Sequence, residues 1–224
     1  MSDTLKEREQ EITRDDSTVN SADNTTSSTI NDIVSFISNI SADIATNIQE
    51  KFINFNVTKF DSIDSTGAYA KRQFERGDIT EGTVIFAEHQ SKGYGRYGKE
   101  WISPKGNFYC SIVLKPNTDL RRLSQLPFVF AAAVGRVLKD LLPEDRDKVQ
   151  YKWPNDILIN NKKVAGILLE SSMTRGSTSP NWLLVGIGIN TVNSPNVKLP
   201  FPCSSLIEED ADPTTESKIL NNIL

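Results

Sequence analysis

Gly93, Gly95 and Gly98 surround Arg96 in one short run ending at Trp101, and Lys152 opens the later run Lys152-Trp153-Pro154-Asn155-Asp156. Glycines without Cβ atoms let backbone N–H groups approach a ligand and let a loop reorganise around it. The planar fork of an arginine grips phosphate oxygens at two points, and a lysine supplies a compact positive charge. These residue types together describe a site for an anionic, phosphorylated ligand.

The glycines spell G-x-G-x-x-G directly after the strand-like run 83–88. A dinucleotide-binding fold would place a helix next, so that its N-terminus meets the pyrophosphate. Instead Trp101-Ile102-Ser103-Pro104-Lys105-Gly106-Asn107 reads as a turn, and 108–114 alternates as a second strand. A kinase-type glycine loop shares that placement, but the sequence carries neither H-R-D nor D-F-G. The glycines are therefore expected in a loop between strands.

The elements that must position these residues follow from periodicity. Residues 56–62 read as a strand, 66–76 as a helix, 83–88 and 108–114 as strands, and 124–142 as a long apolar helix. Strands follow at 149–153, 156–159 and 163–171, with Asn160-Asn161 as the hairpin turn joining the last two, and a further strand at 182–190. This is an α+β pattern, a mixed and largely antiparallel sheet flanked by helices. Ser65 or Thr66 suits a helix N-cap, and the hydroxyl either closes the helix or meets a ligand. Residues 1–29 are polar and expected to be disordered, and residues 30–55 carry an apolar stripe at helical spacing. Residues 56–224 are expected to form the domain that carries the site.

Asp64-Ser65-Thr66-Gly67, residues 87–101, Lys152 to Asp156, Lys163-Val164-Ala165-Gly166-Ile167-Leu168-Leu169-Glu170 and Gly186-Ile187-Gly188-Ile189-Asn190 occur in order. In this the chain resembles the biotin–protein ligases from about residue 58 to about residue 220. The resemblance implies the fold shared with class II aminoacyl-tRNA synthetases. It also implies activation of biotin by ATP, with Mg2+, to biotinyl-5′-AMP, and transfer to a lysine of the biotin carboxyl carrier domain of a carboxylase. On the same basis Lys152 and Arg96 are the catalytic cations. Ser65, Thr66, Gly67, Gln90, Tyr94, Gly95, Arg96, Lys152 and Gly166 would contact biotin. Gly93, Gly98, Trp101, Asn155, Gly186, Gly188 and Asn190 would contact the adenylate, Gly93 to Gly98 by folding over it. The glycines at 166, 186 and 188 admit a ligand where a Cβ would intrude, or are glycines at a strand bulge. Trp101 and Trp153 have hydrophobic packing as their other reading. No side-chain metal ligand stands out beyond Asp156.

Several positions depart from the resemblance. Tyr94, Tyr97 and Lys99 stand where arginines are usual, and Gly67 where an asparagine is common. Residues 216–224 read as the opening of a helix that relatives continue into a small β-barrel domain, expected here to be absent or truncated. Two alternatives stay in view: a lipoate-type acyl-adenylate ligase, and a non-catalytic biotin-binding protein or repressor.

Composition sets the outer bounds. A net charge of -4 argues against non-specific nucleic-acid binding, and 30–55 shows no basic recognition helix. No apolar run approaches a membrane span, and residues 1–10 lack the apolar stretch of a secretory signal. Two separated cysteines, Cys110 and Cys203, fit free thiols in a reducing cytoplasm, and with a single histidine they do not make a zinc site. A homodimer is left open.

Overall fold

In the computed structural model the chain divides into two units, residues 1–50 and 51–224. The structure describes residues 55–116, 120–143, 149–197 and 199–211, together with Ile219 and Ile223. The expectations for the polar leader, for most of the stripe at 30–55, and for all but two residues of 216–224 lie outside the described residues.

Seven strands form one sheet: β1 (Asn56–Phe60), β2 (Thr83–Ala87), β3 (Phe108–Leu114), β4 (Val149–Lys152), β5 (Asp156–Ile159), β6 (Lys162–Ser172) and β7 (Trp182–Ile189). Their order is β1-β2-β3-β7-β6-β5-β4. Among the described residues only β1 and β2 run parallel as strands, with the helix α1 (Thr66–Arg76) as the crossover between them, and the other strand pairs are antiparallel. A short helix α2 (Leu120–Leu123) precedes α3 (Leu126–Lys139), where sequence periodicity suggested one helix over 124–142. The chain turns at Gln125 before Pro127 opens α3, and proline suits a helix start because it has no N–H to offer the preceding turn. The other boundaries agree with the sequence reading to within two residues.

α1 has strong local signals at both ends. Ser65 adopts an extended conformation and its Oγ accepts from the Ala68 N–H at 3.3 Å, so Ser65 is the N-cap. At the other end Gly77 takes a φ of 80°, the Gly77 N–H reaches the Phe74 carbonyl at 3.0 Å, and the Asp78 N–H reaches the Gln73 carbonyl at 2.9 Å. The sheet-facing positions Gly67 and Ala70 are small, which lets α1 approach β2, β3 and β7. Ala70 packs on Ile85, Val113 and Leu184, ringed by Phe60, Tyr69, Phe74 and Trp182. α3 packs on β4, β5 and β6.

Strand register decides which residues share a face. Ser111 pairs with Gly186 and Gly186 with Leu168; Tyr109 pairs with Gly188, Gly188 with Gly166, Gly166 with Asp156, and Asp156 with Lys152. These residues occupy the face that carries α1. The alternate residues Cys110, Ile112, Val185, Ile187, Ile189 and Ile157 are buried on the other face. Asn160 and Asn161, with φ of 50° and 64°, form the expected hairpin turn. No helix among the described residues is long and apolar enough to cross a membrane.

The β5–β6 hairpin is tied to the segment after β7 through Glu209, whose side chain is 3% exposed. Its carboxylate accepts from Lys162 Nζ at 2.8 Å, Asn160 Nδ2 at 2.6 Å and Ser204 Oγ at 2.6 Å. Burial alone would push this carboxyl up, but the bonds from Lys162, Ser204 and Asn160 outweigh it and hold the pKa below its ordinary 4.5. A depressed folded-state pKa contributes stability that is present above the unfolded value and lost as pH falls through the folded one. Glu209→Gln should therefore melt below wild type at neutral pH by about 2 kcal/mol, roughly 4–8 °C. That gap should shrink below pH 4.5; a gap that is independent of pH contradicts the assignment.

Candidate active site

The cavity forms where the parallel pair ends. Beyond β1 and β2 the two segments stay side by side: Ile63 N–H reaches the His89 carbonyl at 3.2 Å, Ser91 N–H the Ile63 carbonyl at 2.9 Å, and Lys92 N–H the Asp64 carbonyl at 2.8 Å. This delivers Gln90 to the N-terminus of α1. Gln90 Oε1 accepts from the Thr66 N–H at 2.9 Å and from Thr66 Oγ1 at 3.1 Å, while its Nε2 donates to Ser103 Oγ at 3.0 Å. Thr66 Oγ1 also lies 2.8 Å from Ser111 Oγ on β3. One glutamine thus couples the helix start, the sheet and the far end of the glycine loop. Asp64 stays behind this wall, accepting from the Ser65 N–H at 2.8 Å and gripped at both oxygens by Arg72, at 2.7 and 3.0 Å. The hydrogen bond from Arg72 holds its carboxyl below the usual carboxylate range.

The glycine loop is a finger between strands, as its sequence context indicated. Trp101 N–H donates to the Gly93 carbonyl at 2.9 Å and Gly95 N–H to the Lys99 carbonyl at 2.7 Å, and the tip is a 3-10 turn over Arg96–Gly98 with Tyr97 at a φ of 59°. A Cβ on Gly93 would collide with Ser103 Oγ and fall 2.6 Å from the Trp101 carbonyl oxygen. Gly93 is therefore needed to close the base of the finger. Gly98, at a φ of 69°, turns its exposed tip. Neither lines the cavity; the structure gives both a part in shaping the finger.

The cavity holds about 290 Å³ and is open on one side. Its lining gathers Ser65, Thr66, Gly67 and Gln90 from the α1 side, and Tyr94, Gly95, Arg96 and Trp101 from the finger. From the sheet come Asn155, Asp156, Gly166, Gly186, Gly188 and Asn190. Two glycines have a use other than ligand approach. A Cβ on Gly188 would fall 2.7 Å from Trp101 Cε2 and Nε1, and one on Gly166 would fall 3.0 Å from Trp101 Cζ3. The paired glycines make a flat strip on which the indole lies. Asn155 is also partly committed, its Nδ2 donating to the Ile167 carbonyl at 2.7 Å. Trp153 is 76% exposed and so is not core packing.

Lys152 stands apart from the wall. Its side chain is exposed and outside the lining, with Nζ 5.4 Å from the ring centroid of Phe201, a lining residue. The lysine in the wall is Lys163, which sequence reading passed over: its Nζ is 2.7 Å from Asp156 Oδ1, 5.0 Å from the Trp101 ring and 5.4 Å from the Phe201 ring. A β-bulge explains the oversight. The register shifts between Ile157 and Leu158, so that Lys163 pairs with Leu158 and comes to the face of Asp156. In an unbroken ladder Lys163 would oppose Ile159 and point to the other face. Also unanticipated is Glu170, which accepts from Tyr94 Oη at 2.8 Å and from Lys71 Nζ at 2.9 Å.

Two lining atoms are buried without a hydrogen-bond partner among the described residues, Trp101 Nε1 and Asn190 Oδ1. Asn190 is 1% exposed and its Nδ2 donates to the Ser204 carbonyl at 3.0 Å, which fixes the amide with its oxygen unmatched. Two residues of the lining thus each keep one buried polar atom unmatched. If the glycine strip exists to seat the indole, Gly188→Ala should lower stability by about 1–3 kcal/mol through overpacking. Gly186→Ala, whose added methyl meets nothing nearer than 3.6 Å, should melt close to wild type. Equal melting temperatures for the two variants would refute the seating.

Comparison with known proteins fits this geometry. Residues 59–190 match the sequence model of the Biotin/lipoate A/B protein ligase family. The chain is 41% identical over 133 residues to a biotin--[acetyl-CoA-carboxylase] ligase of Paracoccus denitrificans, covering 59% of this chain and 53% of that protein. It is 35% identical over 129 residues to the bifunctional ligase/repressor BirA of Escherichia coli, covering 57% and 38%. The chain thus spans about half, or less, of the length of these curated relatives. Biotin protein ligase from Aquifex aeolicus in complex with biotin and ATP superposes with a TM-score of 0.60 at 29% identity over 75% of this chain and 66% of that one. The Leishmania major enzyme in complex with biotin gives 0.63 at 25% identity over 75% and 71%. The sheet and its two packed helices are therefore the biotin protein ligase fold, and the chain belongs to the biotin/lipoate A/B protein ligase family.

Proposed function

We propose that this chain uses ATP to convert biotin to biotinyl-5′-adenylate and passes the biotinyl group to a lysine of a biotin carboxyl carrier domain. The observation that carries this reading is the pairing, in one cavity, of a polar pocket around Thr66, Gln90 and Ser111 with the unmatched Asn190 Oδ1 and Trp101 Nε1. A fixed carbonyl oxygen with no donor suits the exocyclic amine of a purine. Relatives solved with biotin and ATP lend the same support.

In the first step a carboxylate oxygen of biotin attacks the α-phosphorus of ATP, and the bond to the β-phosphate oxygen breaks to release pyrophosphate. In the second the carrier lysine amine attacks the acyl carbonyl, AMP leaves and the amine gives up its proton. No side-chain nucleophile is needed. The protein's work is to align two anions that repel one another and to stabilise charge on the phosphoryl oxygens. Lys163 lies in the wall, its charge balanced by Asp156 until an anion arrives. Lys152 Nζ stands 5.4 Å from the ring of Phe201, which lines the cavity, and Arg96 at the finger tip meets the phosphates. Mg2+ enters as the counter-ion of ATP: Asp156 is committed to Lys163 and Glu170 to Lys71 and Tyr94, so neither of these two lining carboxylates fits a protein-held metal. Both cysteines are free thiols, which fits a cytoplasmic setting.

Pyrophosphate release with ATP and biotin tests the reading. Release with lipoate instead places the chain with the lipoate ligases, and biotin binding without release makes it a binding protein. Lys152→Ala should slow adenylation by about 10²-fold while the melting temperature stays within a degree or so, because the side chain is exposed. Lys163→Ala should slow adenylation comparably and also lower stability by about 1–3 kcal/mol, because it strands Asp156. An unaltered adenylation rate in both variants removes the role given to the cations.

A further inference from the structure

Gly67, on the opening turn of α1, and Tyr94, on the finger, both line the cavity. A Cβ built on Gly67 would fall 3.0 Å from the Tyr94 hydroxyl oxygen. The phenol occupies the space that a side chain at 67 would need. Two departures from the family pattern are thus one: a tyrosine can stand at 94 because 67 has no side chain.

The hydroxyl is not free to turn. Tyr94 Oη donates to Glu170 Oε2 at 2.8 Å, and Glu170 Oε1 accepts from Lys71 Nζ at 2.9 Å. The Lys71 ammonium also lies 5.0 Å from the Tyr94 ring centroid. Burial pushes the phenol pKa up and, against the opposing pull of Lys71, the Glu170 carboxylate adds to this, so the hydroxyl keeps its proton. Burial works against the charge on Lys71, but Tyr94 and Glu170 outweigh it and its pKa is raised. A phenol has a single proton. With that proton committed to Glu170, the oxygen has only lone-pair density left to present. The neighbouring acceptor Gln90 Oε1 is already taken by Thr66.

We propose that Tyr94, seated over Gly67 and oriented by the Glu170–Lys71 pair, is a specificity-determining hydrogen-bond acceptor that selects a ligand head group carrying an N–H donor. The inference rests on the biotin reading and deepens it. The cyclic urea of biotin has two N–H donors, whereas the dithiolane of lipoate has none. An asparagine at 67 would present both a donor and an acceptor and could rotate to serve either. The committed phenol serves only the donor. A site built to hydrogen-bond a polar group rejects an analogue that lacks it, because the site's own polar atom is then left unmatched on burial.

Calorimetric titration of the chain with biotin, and with analogues methylated at one or the other ureido nitrogen, tests this. Wild type should bind biotin more tightly than at least one N-methyl analogue. Tyr94→Phe should weaken biotin binding about tenfold and erase that preference. Glu170→Gln, which keeps the phenol but can donate to its oxygen, should erase the preference as well. A Tyr94→Phe variant that binds all three ligands more weakly by one common factor marks a purely structural tyrosine and overturns the proposal, as does an unchanged dissociation constant. A wild-type chain that binds no biotin fails at the earlier reading, and the result is recognisable because no variant is needed to obtain it.

Discussion

The indole of Trp101 rests on a part of the sheet that has no side chains. Gly166 and Gly188 face each other across β6 and β7, and a methyl on either would crowd the ring. This contact fixes one end of the finger to the sheet. The other end is held by Gln90, through Ser103 and the start of α1. Between these two anchors the finger stands off from β6 and β7, and the space left over is the cavity. Burying the indole edge also leaves its N–H without a partner, a cost of order 1–3 kcal/mol that a ligand acceptor would offset.

Two ion pairs stand in or beside the cavity wall. Lys163 pairs with Asp156, and Lys71 with Glu170. Such half-buried pairs contribute little net stability, since desolvation cancels much of the attraction. They do keep cations in place that a substrate anion can recruit. Arg96 differs: it lies at the finger tip, 5.0 Å from the ring of Tyr97 and donating to its hydroxyl at 3.1 Å. With Tyr97 87% exposed, this contact leaves the guanidinium at the solvent side of the cavity. Arg96 thus stands at the mouth and Lys163 in the wall, while neutral polar groups gather around Thr66 and Ser111.

Local signals made most of the fold legible. Ser65 and Gly77 bracket α1 by cap chemistry that depends only on neighbouring backbone, and Asn160-Asn161 specifies a turn because both residues tolerate positive φ. The alternation of 108–114 and 182–189 names strands in the same way. The motifs also chose most of the lining, including Ser65, Thr66, Gln90, Arg96 and Asn190, because the backbone there is short-range and the residue types are chemically distinct.

What sequence alone determined were the strands, the helix α1 and the family. The tertiary structure decided which lysine enters the wall, what the glycines are for, and that Gly67 and Tyr94 form one unit. Lys152 and Lys163 look alike in a sequence, and a one-residue bulge between Ile157 and Leu158 is what turns Lys163 to the ligand face. Gly166 and Gly188 are read as room for a ligand until Trp101, brought over them by the finger, is seen to fill it. Each of these outcomes depends on contacts between residues far apart in the chain, and such contacts are set by strand register and packing rather than by the residues' immediate neighbours.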